Sequence, residues 1–320
     1  MNSPSVIAIT LNYNQNEYTL DCVRSVLTSS YENFQFFLID NGSTPENYKE
    51  LCAKAPDDDR LKIIRLEENR GYVGGVNYGL EQAELHNPDY YLVMNNDTLM
   101  DGAAISGLVT CAEKHEQHAI VSGKVYNYDG TDTLQFIGNA HQEKGGILDF
   151  KAVVKNRREE DTGQYDQEME MAMLDDIFWL IPKKIFDTVG LYSTYFFLYG
   201  EQTDYALRAV TAGFKLVYTP NAKLWHKGGI TTDGGKKWLQ SPKVEYWGMM
   251  AVLKLSVLHF SPKQARSFYY RFVLKTFIKK VLLLFRGKIK FDILRSNYLA
   301  VKDFKFWNKI RYRDNGYNPY

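Results

Sequence analysis

The segment Tyr90–Met100, YYLVMNNDTLM, begins with aromatic and branched residues that read as a buried strand and ends in Asn95-Asn96-Asp97. Asp97 offers a hard anionic oxygen suited to Mg2+ or Mn2+, which bind through one or two carboxylates and complete their shells with a substrate's phosphates. Asn95 and Asn96 can hydrogen-bond or coordinate without adding charge. Asp40-Asn41-Gly42-Ser43 closes FQFFLID in a similar way. An Asx turn accounts for that pattern, and so does a strand-end carboxylate accepting hydrogen bonds from a base or ribose. Asn69–Gly79, NRGYVGGVNYG, carries four glycines that let backbone amides approach an anion ahead of a helical pattern. It is neither a GxGxxG fingerprint nor a Walker loop; a flexible turn is the plain alternative. In FFLYGEQTDYALR, Phe196–Arg208, Glu201 stands at an expected helix start where it can face a cleft as a general base. Asp204 precedes Arg208 by one turn, the spacing of a surface ion pair. His226, in LWHKGG, is structural by default and becomes a further ligand if a cation site lies beside it.

These residues need elements to hold them. Apolar runs at Val6–Leu11, Phe34–Asp40, Leu61–Leu66 and Tyr90–Met94 are separated by helical patterns, among them Gly74–Leu85. Continuous rather than alternating apolar strands predict an α/β fold, a doubly wound, mainly parallel sheet covered on both faces. Ligands of such sheets bind beyond the carboxyl ends of the strands. Three of those ends are chemically loaded: Asn12-Tyr13-Asn14, Asp40-Asn41-Gly42-Ser43 and Asn95-Asn96-Asp97. Further strands are expected at Ala119–Val125 and Thr133–Ile137, and the polar stretch Asn156–Glu170 reads as a flexible loop. From about Lys243 the chain turns helical, basic and aromatic, which places a boundary near residues 232–242.

A hydrophobic content of 45% and a formal net charge of +1 fit a soluble globular protein and give no ground for a nucleic-acid partner. The balance hides an asymmetry: from Lys243 to Tyr320 there are 17 Lys+Arg against 4 Asp+Glu, so the preceding part is acidic. Cys22, Cys52 and Cys111 have no metal-ligand spacing and do not form an even disulfide set. The opening MNSPSVIAITLNYN lacks the basic and long apolar regions of a secretory signal, and runs such as Val281–Phe285 are too short to span a bilayer. The expectation is a cytoplasmic protein.

The ordered series TLNYN, IDNGS, NRGYVGGVNYG, MNNDTLM, VGLYSTYFFLYGEQTDYALR and LWHKGG resembles the family 2 glycosyltransferases, especially their bacterial rhamnosyltransferase-like branch, over roughly Val6–Gly229. The resemblance implies the GT-A fold, inverting transfer from a dTDP- or UDP-linked sugar, and a divalent cation, Mg2+ or Mn2+. It implies that Asn12, Asp40 and Ser43, with Leu11, Tyr13 and Asn41, hold the nucleoside. Asn69, Gly71 and Asn77, with Tyr72, Gly74, Asn95 and Asn96, would line the ribose and phosphates, and Asp97 and His226 would hold the metal. It divides the chain into a catalytic domain, 1–235, and a helical region, 236–320. The first comprises a nucleotide-sugar half, 1–98, and an acceptor half, 99–235. Two departures stand out. The first position of the family's Asp-x-Asp is Asn95, and its Glu-Asp is Glu201-Gln202, whose glutamine cannot accept a proton. The base is then Glu201 or Asp204, with Glu201 preferred.

Two rivals belong to other classes. A sugar nucleotidyltransferase needs a glycine-rich basic loop after the first strand, and LNYNQNEY has neither glycine nor cation. A non-catalytic sugar-binding homologue is compatible with Gln202. The acceptor is expected to be a saccharide, in particular a lipid-linked oligosaccharide. Residues 261–290 carry nine Lys/Arg and no acid, with Phe268, Val273, Phe277, Val281 and Leu284 at helical spacing. That pattern suits a helix packed on the catalytic domain, a homodimer contact or, preferred here, peripheral attachment to the anionic inner face of the membrane.

Overall fold

β1 (Val6–Asn12) sends Ile7 and Ile9 to one face of the sheet and Val6 and Ala8 to the other, and all four are buried. Both faces are therefore covered, as the continuous apolar runs require. In this computed structural model, residues 3–142, 148, 150–154, 157–228 and 241–310 are described.

β1 lies between β2 (Phe34–Asn41) and β4 (Tyr90–Met94), with β3 (Leu61–Leu66) beyond β2, all parallel. α1 (Asn16–Leu27), α2 (Pro45–Lys54) and α3 (Gly71–Glu84) make the crossovers. Beyond β4 comes β12 (Phe178–Pro182), antiparallel to it, and then β6 (Ala119–Asn127). β13 (Lys215–His226) runs parallel to β6 and antiparallel to the short β5 (Thr98–Met100). β7 (Thr133–Phe136) flanks β6. α4 (Ala104–Lys114) covers the face shared with α1, while α5 (Lys183–Val189) and α6 (Glu201–Thr211) join α3 on the opposite face. β8 (Asn139–Gln142) and β9 (Phe150–Ala152) form a separate hairpin. The expected mainly parallel α/β sheet is present, with antiparallel strands inserted in its second half.

Two local expectations change. Asn156–Glu170 is not a free loop: β10 (Glu159–Glu160) pairs with β7 and β11 (Met169–Glu170) with β13. Lys124, 2% exposed on β6, is paired with Asp161 at 2.7 Å and also with Asp166. A buried ammonium requires such partners, so it pins the polar segment across the sheet. The helix expected from Gly74 begins at Gly71, so most of the glycine-rich stretch is helix rather than loop. A Cβ on Gly75 would meet Leu11 at 2.9 Å, so here glycine lets α3 lie close on the sheet.

α7 (Pro242–His259), α8 (Pro262–Phe285) and α9 (Phe291–Ile310) form the C-terminal helical region. α7 and α9 share an apolar core with Tyr195, Phe197, Leu198 and Tyr199, the segment leading into α6. The expected boundary near 232–242 falls almost wholly outside the described residues. Among those described, no helix is long and apolar enough to cross a membrane.

Candidate active site

The carboxyl ends of β1, β2 and β4 meet at a cleft of about 350 Å³, closed by the start of α6, the end of β13 and the segment before β12. Leu11, Tyr13, Asn41, Asn69, Gly71, Tyr72, Asn95, Asn96, Asp97, Glu201 and His226 all line it. Asn12, Asp40 and Ser43 lie beneath it rather than on it. Asn12 Nδ2 donates to Asp40 Oδ1 at 3.0 Å and to Ser43 Oγ at 3.3 Å, and Thr19 Oγ1 donates to Asn12 Oδ1 at 2.8 Å. Asn12 and Asp40 are fully buried, so this network fixes the strand ends. Asn41 ties the next loop to β2, donating to the Gly71 carbonyl at 2.9 Å and accepting from the Arg70 amide at 3.1 Å. Gly71 has φ +72, and a Cβ there would meet the Phe197 ring at 2.5 Å, so this position requires glycine.

Two further expected site residues, both on α3, also fall outside the lining. Asn77 is buried and clamps Tyr192, donating to its carbonyl and accepting from its amide at 2.9 Å each. Gly74 lies against the Arg70 side chain. Helical geometry explains both: with α3 starting at Gly71, these positions face packed neighbours.

Asp97, 5% exposed, places Oδ1 3.2 Å from His226 Nε2. Burial acts to raise its pKa, but the His226 contact and the backbone amides of Asp97 and Gly228 outweigh this and hold it below the ordinary value. His226 Nδ1 meets Gln135 Oε1 at 2.7 Å. A carbonyl oxygen only accepts, so Nδ1 donates to Gln135 and Nε2 is the nitrogen left facing Asp97, able to donate to the carboxylate or, without its proton, to offer a lone pair beside it. Two facing electron-pair donors are satisfied by a proton or a cation between them, and a carboxylate-imidazole pair fits a divalent ion.

The same cleft brings Glu201, the expected base, together with Asp176, which was not among the expected site residues. Asp176 and Glu201 line the cleft and are 5% and 4% exposed. Tyr72 donates its hydroxyl to Asp176 Oδ2 at 3.1 Å, and Gln202 Nε2 donates to Asp175 Oδ1 at 3.0 Å. Burial, then Asp176, pushes the Glu201 carboxyl up to about 8; burial, then Asp175, pushes Asp176 up. Glu201 Oε2 is buried without a hydrogen-bond partner. The pair can hold or release a proton near neutrality. Asp204 is placed differently: it accepts from Arg208 Nε at 2.8 Å and lies 2.9 Å from His259 Nε2 on α7, outside the cleft. The signal for Asp176 was in the sequence, as Asp175-Asp176 directly before the apolar run of β12. Because β12 is antiparallel to β4, with Phe178 opposite Met94, its amino end reaches the same edge as the carboxyl end of β4.

Outside the cleft, ligand atoms of Cys111, His115 and Glu168 lie within 4.8 Å of one another, a juxtaposition that linear spacing did not reveal. Glu168 already has Lys114 at 2.7 Å as counter-charge.

A nucleotide-binding half-sheet, a strand-end carboxylate and an antiparallel continuation define the GT-A class of fold. Two solved structures share it. GalNAc-T7, crystallised with UDP, GalNAc and Mn2+, aligns with a TM-score of 0.54 and 18% identity, over 70% of this chain and 44% of that one. A Staphylococcus aureus TarS fragment, residues 1–349, aligns with a TM-score of 0.53 and 15% identity, over 94% and 80%. The chain belongs to glycosyl transferase family 2, whose family model matches residues 5–190. Among curated relatives, the glycosyltransferase GlyG of Streptococcus pneumoniae is 28% identical over 38% of this chain and 38% of its own length. An uncharacterised glycosyltransferase of Haemophilus influenzae is 30% identical over 36% and 35%. The poly-beta-1,6-N-acetyl-D-glucosamine synthase of S. aureus is 25% identical over 49% and 41%. The chain thus spans about two fifths of the length of these relatives.

Proposed function

We propose that the protein is an inverting, cation-dependent glycosyltransferase that moves a hexose, rhamnose in the narrowest reading, from a UDP- or dTDP-sugar to a saccharide acceptor. The observation that carries this reading is one cleft lined both by Asp97 and His226 and by Glu201 and Asp176. In this reading Leu11, Tyr13, Asn41, Asn69 and Tyr72 hold the nucleoside and ribose, on a floor fixed by Asn12, Asp40 and Ser43. Asp97 and His226 Nε2 hold Mg2+ or Mn2+, with Gln135 setting the ring tautomer. When bound, the ion neutralises the leaving diphosphate. Glu201 takes the proton of the acceptor hydroxyl as that oxygen attacks the anomeric carbon from the face opposite the leaving group. Asp176 lies beside it, so a proton received by one carboxyl is stabilised by the charge of the other. Glu201 is favoured over Asp204, whose oxygens already meet Arg208 and His259.

The acceptor is placed in cell-envelope polysaccharide synthesis as a lipid-linked oligosaccharide, with the enzyme peripheral on the anionic inner face of the membrane. Support comes from α8. Its Tyr269, Phe272, Val273 and Phe277 pack inward, leaving Tyr270, Leu274, Ile278, Leu282 and Phe285 exposed as a stripe at i, i+4 and i, i+3 spacing among cations.

The test is hydrolysis or transfer with a panel of UDP- and dTDP-sugars, with and without Mg2+, Mn2+ and chelator. One donor is expected to turn over in a chelator-sensitive way. Gln202 favours a second reading, a sugar-binding homologue without turnover; donor binding with no turnover for any sugar would establish it in place of the transferase.

A further inference from the structure

A second cavity, of about 260 Å³, opens between α7, α8 and α9. Its walls are mainly apolar: Tyr199, Val244, Gly248, Met249 and Phe272, with Thr276 at one side. Its polar rim is already satisfied, since Glu245 accepts from Lys280 and, at 3.2 Å, from Asn297. At Gly248 the helix faces open space, with nothing within 4 Å of where a Cβ would stand. The cavity adjoins the catalytic cleft. Tyr199 lines both, and Lys243 on the cleft side immediately precedes Val244 on the cavity side. Tyr199 holds φ 66, a left-handed conformation uncommon for a bulky residue, directly before Glu201 and its φ +92 neighbour Gly200.

We propose that this cavity is the tail site for an amphiphilic acceptor: it takes the first hydrocarbon segment of a prenyl or acyl phosphate whose sugar lies in the cleft. The assignment rests on the transferase reading for the role of the sugar, and on the cavity alone for the tail. A purely saccharide acceptor has no use for a mainly apolar chamber that shares Tyr199 with the cleft. A second copy of the chain is a poor occupant, because α8 and its flanks carry nine Lys/Arg without an acid and two such surfaces repel. An amphiphile fits both features. Its tail meets Met249 and Phe272, its phosphate lies by Lys243, and its remaining chain continues toward the exposed stripe of α8.

The experiment is calorimetric titration of the full chain with methyl, dimethylallyl and farnesyl phosphate, below micellar concentrations. Affinity is expected to rise with tail length, by roughly fourfold for each methylene buried, and to level off once the cavity is filled. Gly248→Leu fills the chamber from α7 and Thr276→Phe from α8; each is expected to weaken farnesyl phosphate at least tenfold with a cooperative melt retained, and Gly248→Ala to fall between. Equal affinity for methyl and farnesyl phosphate overturns the proposal. So does a folded Gly248→Leu or Thr276→Phe protein with undiminished binding. UDP and dTDP titrations report the transferase reading separately: if neither binds while the tail dependence holds, that reading fails and the tail site stands.

Discussion

Asp97 is 5% exposed, and its carboxylate faces His226 Nε2 at 3.2 Å, so replacing it removes a polar contact rather than core packing. Asp97→Ala is expected to lower transfer at least 10²-fold while moving the melting temperature by only a few degrees; near-normal turnover, or full activity in excess chelator, removes Asp97 from the site. Glu201→Gln should retain donor binding and lose roughly 10²–10⁴-fold in turnover, the usual contribution of a general base. Asp176→Asn is expected to shift the pH profile of turnover toward lower pH, since it removes a charge that holds Glu201 protonated. Glu201 also makes a stability prediction. Its folded pKa, about 8, lies above the ordinary 4.5, so between those values the unfolded chain releases a proton that the fold retains. Wild-type stability therefore falls as pH rises through that window, by up to a few kcal/mol for this group. Glu201→Gln lacks that loss: its melting temperature should match wild type near pH 4.5 and exceed it increasingly toward pH 8. A constant difference across the window refutes the buried-carboxyl account.

Among the elements, α6 is the one most heavily constrained. Asp204 pairs with Arg208, and the Arg208 fork donates to the Val189 and Leu191 carbonyls at 2.7 and 3.0 Å, while His259 ties the same carboxylate to α7. Asp204→Asn leaves Arg208 partly uncompensated and should cost about 3 kcal/mol, read as a drop in denaturant midpoint. Turnover per folded molecule should fall far less than in Glu201→Gln; the reverse order identifies Asp204 as the base. α3 is held by a different device, the Asn77 clamp on Tyr192. Asn77→Ala removes two buried hydrogen bonds and should destabilise by about 2 kcal/mol, with little change in nucleotide affinity. A large affinity loss at unchanged stability would return Asn77 to the ligand.

At the scale of the whole molecule, charge and apolar exposure coincide on the helical region. The intact protein is expected to co-sediment with vesicles containing anionic lipid at low salt and to be released at high salt. Lys280 is a poor probe of this, because it is paired with Glu245 and only 14% exposed. Lys275, Lys279 and Arg286 changed to Gln should weaken binding, and Leu274→Asp with Ile278→Asp should abolish it. Protein that stays in the supernatant at low salt, or binding unchanged by both sets, refutes membrane attachment.

Apolar patterning alone specified the parallel half of the fold and the strand ends of the cleft built on it. Continuous apolar runs require burial on both faces, and a parallel sheet places every carboxyl end at one edge, so Tyr13, Asn41 and Asp97 could be located from strand ends alone. The start of α3 was legible only to within three residues, so Gly74 and Asn77, expected at the ligand, stand on a helix that packs them outside the cleft lining, Asn77 against Tyr192 and Gly74 against Arg70. Other features were decided in three dimensions. The antiparallel insertion of β12 delivered Asp176, because strand direction is set by pairing partners and not by the residues of the strand. The packing of α8 was likewise undecidable from its pattern, since apolar residues and cations are spread round the whole helix and no face is preferred until neighbours cover one side. Contact with α7 and α9 partly buried Val273 and Phe277, left Leu274 and Ile278 outside, and formed the chamber beside Tyr199.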